Sequence, residues 1–69
     1  MIAFVNGIVS AVEDDSLIVD IGGVGLSVLV PIHMLDPRPV VGNVLYLHTH
    51  LQIREDAWVL YGFCNKGQL

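Results

Sequence analysis

The sequence predicts an all-β fold. Apolar residues recur with a period of two along much of the 69-residue chain, which is the spacing of strands whose side chains alternate between two faces. Short clusters of glycine, proline and acidic residues divide this pattern into runs of strand length, and no long helix appears. A chain of this size makes one small domain, which buries only about 60% of the surface that its unfolded chain exposes.

The first predicted strand extends to Val12. Its apolar side chains share one parity: Ile2, Phe4, Ile8 and Val12. Asn6-Gly7 interrupts this run, and because a glycine inside a long strand often marks an irregularity, we expect a bend or a bulge there. The acidic cluster Glu13-Asp14-Asp15-Ser16 then predicts a turn.

A hairpin follows this turn. One strand alternates from Leu17 to Ile21, and a second runs from Val24 to Val30. Gly22-Gly23 between them accepts the positive φ angles of a two-residue hairpin turn. A phosphate-binding loop is the weaker interpretation of Gly22-Gly23-Val24-Gly25, since such loops lead into a helix and this segment leads into a strand.

Residues 31–43 predict an irregular connector. Pro37 and Pro39 bracket Arg38, and proline has no backbone N–H to donate to a central strand. One helical turn is expected at Ile32 to Leu35.

The last two predicted strands are Val44 to Leu51 and Ala57 to Phe63, with Gln52 to Asp56 over or near their turn. Five strands with a break after the third predict a five-stranded Greek-key barrel of the OB type. An SH3-like barrel is the alternative, because the number of strands alone does not fix their order.

The chain is more apolar than one small core requires. Hydrophobic residues make up 54% of it and charged residues 14%, where about a quarter charged is ordinary. A barrel strand needs one apolar face, yet three segments are apolar on both parities: Val28-Leu29-Val30, Val44-Leu45-Tyr46-Leu47 and Trp58-Val59-Leu60-Tyr61. Each further side chain that is fully buried contributes about 1.5 to 3 kcal/mol. We therefore expect part of the outside to be covered by copies of the chain or by another domain.

The charge balance excludes several classes of protein. Three basic and seven acidic residues give a net charge of −4, the wrong sign for an autonomous nucleic-acid binder.

Cys64 is the only cysteine, so no internal disulfide is expected and the cytoplasm is the predicted location. The first residues lack the pattern of a signal peptide, and no stretch approaches the ~20 apolar residues of a membrane span.

Other candidate sites are weak. His48 and His50 would share one strand face, but a zinc site requires three or four ligands, and His33 and Cys64 show no ligand spacing. Cys64 with a histidine lacks a third catalytic group. Bases could stack on the aromatic residues, although stacking sites normally lie among basic side chains, so core or interface packing is favoured for most of them: Tyr46, Trp58, Tyr61 and Phe63. We expect no metal, no cofactor and no catalysis.

Arg54-Glu55-Asp56 places three of the ten charged residues between two apolar runs. The surrounding segment, Thr49 to Phe63, closely resembles the Thr-His-x-x-x-Arg-Glu-Asp-Ala-x-x-Leu-Tyr-Gly-Phe segment of the RuvA family of Holliday junction branch-migration proteins. Further matches are Met1-Ile2 with Gly7, Gly22-Gly23-Val24-Gly25 with Val28 and Pro31, and Asn65-Lys66. The resemblance covers essentially the whole chain.

The resemblance implies that residues 1–64 are the amino-terminal OB-fold domain of a longer subunit, with residues 65–69 starting the linker to a helix-hairpin-helix domain. It implies a homotetramer on four-way junction DNA, with the RuvB ATPase as a partner and the RuvC resolvase as a further partner through the complex. Glu55 and Asp56 match the acidic pin of this family at the centre of the junction. Arg54 would either contact DNA or orient the pin.

Two departures from the family pattern lie outside the motif. Asp36-Pro37-Arg38-Pro39 is richer in proline than the connector of this family, and Glu13-Asp14-Asp15 adds negative charge to a turn. The leading hypothesis is a non-catalytic, DNA-guiding and tetramerisation domain that serves DNA recombination and repair. The alternative is a purely structural oligomerisation module whose charged loop is only solvated, and a small enzyme is the weakest hypothesis.

Overall fold

Five strands and no α-helix make up the part of the chain that the computed structural model describes, which is residues 2–32, 35 and 38–63. In chain order they are β1 Phe4–Val12, β2 Ser16–Asp20, β3 Gly25–Leu29, β4 Val44–Ile53 and β5 Trp58–Phe63. The predicted all-β fold is confirmed.

The strands close into a barrel in the order β1-β2-β3-β5-β4. Neighbouring strands are antiparallel except β3 and β5, which run parallel and meet at Leu29 and Tyr61. Because the connector after β3 carries the chain across to β4, next to β1, the last strand returns to fill the gap beside β3. This is the predicted five-stranded Greek-key arrangement of the OB type, and it excludes the SH3-like alternative.

The barrel interior is filled by aliphatic side chains from every strand and from the connector. Leu17, Val19, Val28 and Leu47 are fully buried. Ile32 and Leu35 of the connector join the same cluster and close one part of it. The amide of Leu35 donates to the carbonyl of Ile32 at 3.0 Å, which is the bond expected for the helical turn; residues 33 and 34 lie outside the described residues.

The irregularity of β1 is not where the sequence places it. Gly7 lies in regular register opposite Leu45 of β4, and the pairing with β2 shifts instead between Val9 and Ala11. The first half of β1 pairs with β4 and the second half with β2, with Ile8 paired to both. A Cβ at position 7 would overlap the main-chain carbonyl oxygen of Asp20. Gly7 is therefore needed for close approach of two backbones, not for a bulge.

The two predicted turns before β3 are confirmed. At the first, the Glu13 amide donates to Ser16 O at 2.8 Å, and the Ser16 hydroxyl donates to Oε1 of Glu13 at 3.1 Å. At the second, Gly22 and Gly23 both have positive φ, 111° and 105°. Oδ1 of Asp20 accepts both of their amides, at 2.9 and 2.7 Å. The bond from Gly23, and then that from Gly22, lower the pKa of the Asp20 carboxyl, because they stabilise its charged form.

The connector ends in a tight turn, which we call the valine turn (Val40, Val41, Gly42 and Asn43). Asn43 N–H donates to Val40 O at 3.1 Å, and Gly42 has a φ of 96°, the arrangement of a type II turn. The turn is fixed to β1 at its bulge, since Val9 N–H donates to Asn43 O and Val9 O accepts the amide of Gly42.

The last hairpin is longer than the sequence predicts. Gln52 and Ile53 pair with Val59 and Trp58, so β4 continues two residues past the predicted end at Leu51. Gln52 and Ile53, predicted to lie over or near the turn, belong to β4, because the hydrogen-bonded ladder extends further than the alternating pattern suggests; β5 begins at Trp58, one residue after the predicted Ala57. Only four residues, Arg54 to Ala57, remain between the strands.

Candidate functional site

The predicted site residues occupy the tip of the β4–β5 hairpin. Arg54 N–H donates to Ala57 O at 2.9 Å, so Glu55 and Asp56 are the two residues that make the turn. Both carboxylates are exposed. None of the described residues other than glycine has a positive φ, which excludes the primed turns typical of two-residue hairpins.

Two large apolar side chains flank the acidic tip. Ile53 and Trp58 pair across the hairpin and are 62% and 72% exposed. The tip therefore combines two carboxylates with an apolar base that the barrel does not cover. Sequence reasoning missed Ile53 because the predicted strand stopped short of it. Of the two positions predicted for Trp58, core or interface, its exposure rules out the core.

Arg54 is exposed beside the two acids. Within the described part of the chain, its hydrogen bonding is through the main chain to Ala57, and no hydrogen bond joins its guanidinium to Glu55 or Asp56.

The loops that OB folds commonly use to bind oligonucleotides, between strands 1 and 2 and between strands 4 and 5, are both acidic. The first carries exposed Glu13, Asp14 and Asp15, and the second carries Glu55 and Asp56. These loops therefore repel phosphate instead of attracting it, apart from the single guanidinium of Arg54.

An uncovered apolar surface lies on the outside of the barrel. We call it the outer apolar face, and its residues on β1 and β4 are between 47% and 73% exposed: Phe4, Ile8, Val44 and Tyr46. Phe4 stacks on Tyr46 with ring centroids 5.3 Å apart. This agrees with the prediction that β4 is apolar on both sides. It also shows that Phe4 and Ile8, which lie on the same side of β1, face outward and not into the core.

The histidines of β4 include one, His48, that packs against aromatic side chains. His48 packs edge-on against Tyr46, 5.3 Å between centroids, and stacks with Phe63 at 5.9 Å. Among the described residues, no group of three or more histidine, cysteine, aspartate or glutamate side chains could hold a metal ion. His33 and Cys64, which the sequence raises as candidates, lie outside those residues.

The described residues contain no helix long and apolar enough to cross a membrane.

Comparison with known proteins assigns the chain to a family. Residues 1–62 match the family described as the RuvA N terminal domain. Proteins named Holliday junction branch migration complex subunit RuvA are similar to the chain over nearly its full length: 39% identity over 69 residues in Thermoanaerobacter pseudethanolicus, covering 100% of this chain and 37% of that protein, and 46% over 68 residues in Pseudomonas aeruginosa, covering 99% and 34%. A third, from Chloroflexus aggregans, is 41% identical over 68 residues, covering 99% and 35%.

The chain thus spans about a third of the length of these relatives. Its closed five-stranded barrel and the residues at the hairpin tip lie within the matched range. The chain belongs to the RuvA N-terminal domain family.

Proposed function

We propose that this chain is the DNA-guiding and tetramerisation domain of a Holliday junction-binding subunit of a branch-migration complex. Family membership supports the junction as the substrate, since the relatives are named as subunits of that complex. The observation that carries the DNA-guiding role is the β4–β5 tip, where Glu55 and Asp56 are both exposed at the end of a hairpin that extends past the core.

The proposed role of the tip is electrostatic. Four subunits around one junction would place eight carboxylates near the point where strands exchange partners. At ~10 Å each carboxylate–phosphate pair is unfavourable by about 0.4 kcal/mol in water-like surroundings, and salt at ~0.1 M reduces this to about a third. Eight such pairs sum to about 1 kcal/mol. The pin would oppose intact duplex at the centre and direct separated strands outward into the arms.

The domain would contribute no catalysis and no cofactor. The motor would be the RuvB ATPase, and the RuvC resolvase would act on the same junction through the complex. Duplex arms would be gripped by a helix-hairpin-helix domain beyond the residues 65–69 that we assign to the linker. Arg54, the one basic side chain at the tip, would contact a phosphate or hold the pin in place.

Self-assembly is the second part of the proposal. The outer apolar face supports it, because exposed clusters of large apolar side chains mark interaction sites more often than scattered single ones do. Ile53 and Trp58 would be covered in the same assembly or by unstacked bases at the crossover.

The test is to neutralise the pin in the tetrameric subunit with the double substitution Glu55→Gln and Asp56→Asn. We expect binding to plain duplex to strengthen by about fivefold at ~0.1 M salt, which corresponds to about 1 kcal/mol, and by more at lower salt. The ratio of junction affinity to duplex affinity should fall by the same factor, and the difference in duplex affinity between the variant and the unmodified protein should shrink as salt is raised. Gel-shift or anisotropy titrations across a salt series measure both quantities.

The matched control is Glu13→Gln with Asp14→Asn, which removes the same charge from the exposed turn at the other acidic loop and keeps the oxygen that accepts the Ser16 hydroxyl. This variant should change duplex binding less than the pin variant does. Duplex affinity that does not respond to the pin substitutions at any salt concentration would reject the electrostatic role. It would favour the alternative, a structural oligomerisation module with a solvated tip.

A further inference from the structure

A shallow groove of about 350 Å³ follows the seam where β3 and β5 run parallel. The residues that line it are apolar or glycine except for one exposed aspartate: Asp15, Leu29, Val30, Pro31, Tyr61 and Gly62. Val30 and Gly62 are buried, while Pro31 and Tyr61 are exposed. The Val30 amide donates to Asp15 O at 3.0 Å, which fixes the acidic turn beside the groove. The seam is therefore a concave apolar surface with a negative charge at its edge.

The valine turn has the complementary properties. Val40 and Val41 are 57% and 59% exposed, although chain turns at a surface are usually polar. Arg38 is exposed two residues earlier, within about 7 Å along an extended chain. Val44, 73% exposed, continues the apolar surface onto β4. The turn is held at its base, since its last two residues, Gly42 and Asn43, both bond to Val9. It is therefore a convex apolar surface with a positive charge beside it.

The groove and the valine turn lie on opposite sides of the barrel. In the closed order β1-β2-β3-β5-β4, the neighbours of β1 are β2 and β4, and the two strands that do not pair with it are β3 and β5. The valine turn is bonded to β1, and the groove follows β3 and β5. A chain therefore cannot place its own valine turn in its own groove, whereas successive copies can join head to tail. Contacts of this kind between two different surfaces generate closed rings when the rotation from one copy to the next closes, and open filaments when it does not.

We propose that the valine turn of one copy docks into the β3–β5 groove of the next, with Arg38 facing Asp15. The proposal rests on the four-fold assembly proposed above and names its contact. A second copy is the occupant because the charges match: Arg38 and Arg54 are the two basic side chains among the described residues, and Arg54 is at the hairpin tip. Two valines at the surface and a guanidinium fit an apolar groove edged by a carboxylate.

Charge reversal tests the pairing directly. Asp15→Arg and Arg38→Asp are each expected to weaken self-association of the chain by about tenfold, because each turns an attraction into a repulsion in every contact of the ring. The double variant restores the pair in the opposite sense and should recover association to within about threefold of the unmodified chain. Sedimentation velocity over a concentration series at low salt measures the association constants.

A third test variant, Val41→Ser, probes the apolar part of the contact. Two controls, Asp14→Arg and Val24→Ser, make the same chemical changes outside the proposed contact. Asp14→Arg makes the same charge change at the exposed residue next to Asp15, which does not line the groove. Val41→Ser removes apolar surface from the docked turn, and Val24→Ser removes a valine of equal exposure, 57% against 59%, from the Gly22-Gly23 turn. Asp14→Arg and Val24→Ser should leave association within twofold of the unmodified chain, whereas Val41→Ser should weaken it by about tenfold.

The outcomes separate this contact from the proposed function. Association that survives both reversals, or reversals that weaken it without rescue in the double variant, would overturn the docking of Arg38 against Asp15 while leaving self-assembly and the pin in place. A chain that stays monomeric at about 1 mM, where even weak interfaces form, would overturn the docking and the assembly of this domain together.

Discussion

Gly7→Ala tests whether close backbone approach, and not a bulge, is what position 7 requires. The added methyl group would overlap the carbonyl oxygen of Asp20 and would lie 2.9 Å both from the carbonyl carbon of Asp20 and from Cγ1 of Val19. Val19 is fully buried, and a main-chain carbonyl in a strand pair cannot rotate away as a side chain can. β1 and β2 would have to separate next to the point where β1 passes from one partner strand to the other.

The expected loss follows from these contacts. Overpacking of a buried site costs about 1–3 kcal/mol, and backbone obstruction places this site at about 3. Replacing glycine by alanine returns about 0.4–1 kcal/mol by restricting the unfolded chain. The net destabilisation is about 2 kcal/mol. Against a total stability of roughly 3–10 kcal/mol for 69 residues, this lowers Tm by about 10 °C.

Thermal melts followed by circular dichroism measure the effect, with Gly25→Ala as the matched control. Gly25 also lies in a strand, but its new methyl group would meet only Cγ2 of Ile18 at 3.1 Å, a side-chain atom that can move by a few tenths of an ångström. Its Tm should stay within about 3 °C of the unmodified chain. If Gly7→Ala melts at the same temperature as Gly25→Ala, the reasoning about backbone contact at position 7 is wrong.

Two further predictions concern polar groups that hold the chain together. Hydrogen bonds from Gly23 and Gly22 lower the pKa of Asp20, so the stability that the charged Asp20 side chain contributes is complete above the ordinary aspartate pKa and is lost as pH falls below it. Asp20→Asn keeps an acceptor but cannot be charged, so it should flatten the curve of Tm against pH below about pH 4. Parallel curves for the variant and the unmodified chain would contradict this. Thr49 is buried and its hydroxyl donates to Ile2 O at 2.8 Å, so Thr49→Val should cost about 1 kcal/mol in urea unfolding, whereas Thr49→Ser, which retains the hydroxyl, should keep the bond; equal loss in both would assign the effect to packing.

The turns were predictable from the sequence because their residues specify a backbone conformation. Gly22-Gly23 can take positive φ at both positions where other residues resist it, and the structure has it so. Strand existence was predictable for a similar local reason, since alternation with period two identifies extended chain. Strand order followed from the position of the long connector between the third and fourth strands.

The face that each strand buries was not predictable from alternation alone. Phe4, Ile8 and Val12 share a parity and are all exposed, while Val5 and Val9 fill the core. The bulge after Val9 shifts the pairing of β1 with β2, and no glycine or proline marks it. When both sides of a strand are apolar, parity cannot separate a core from an interface.

Part of the candidate site was likewise predictable from the sequence and part was not. The motif around Arg54-Glu55-Asp56 identified the tip, because its residues resemble a family pattern. The apolar base of that tip and the valine turn were missed, since Ile53, Val40 and Val41 look like ordinary core residues until their exposure is known. Complementarity between two surfaces on opposite sides of a barrel is a property of the closed fold and has no local counterpart in the sequence.

The turn at Glu55 and Asp56 places no stereochemical demand on its own sequence. With no positive φ outside glycine among the described residues, any pair of L-amino acids without a proline conflict can make that turn. The two positions can thus be varied through a full set of side chains, charged or neutral, long or short, without altering the barrel. The β4–β5 tip is consequently a place where the length and sign of a probe directed at DNA can be changed one atom or one charge at a time, with folding held constant.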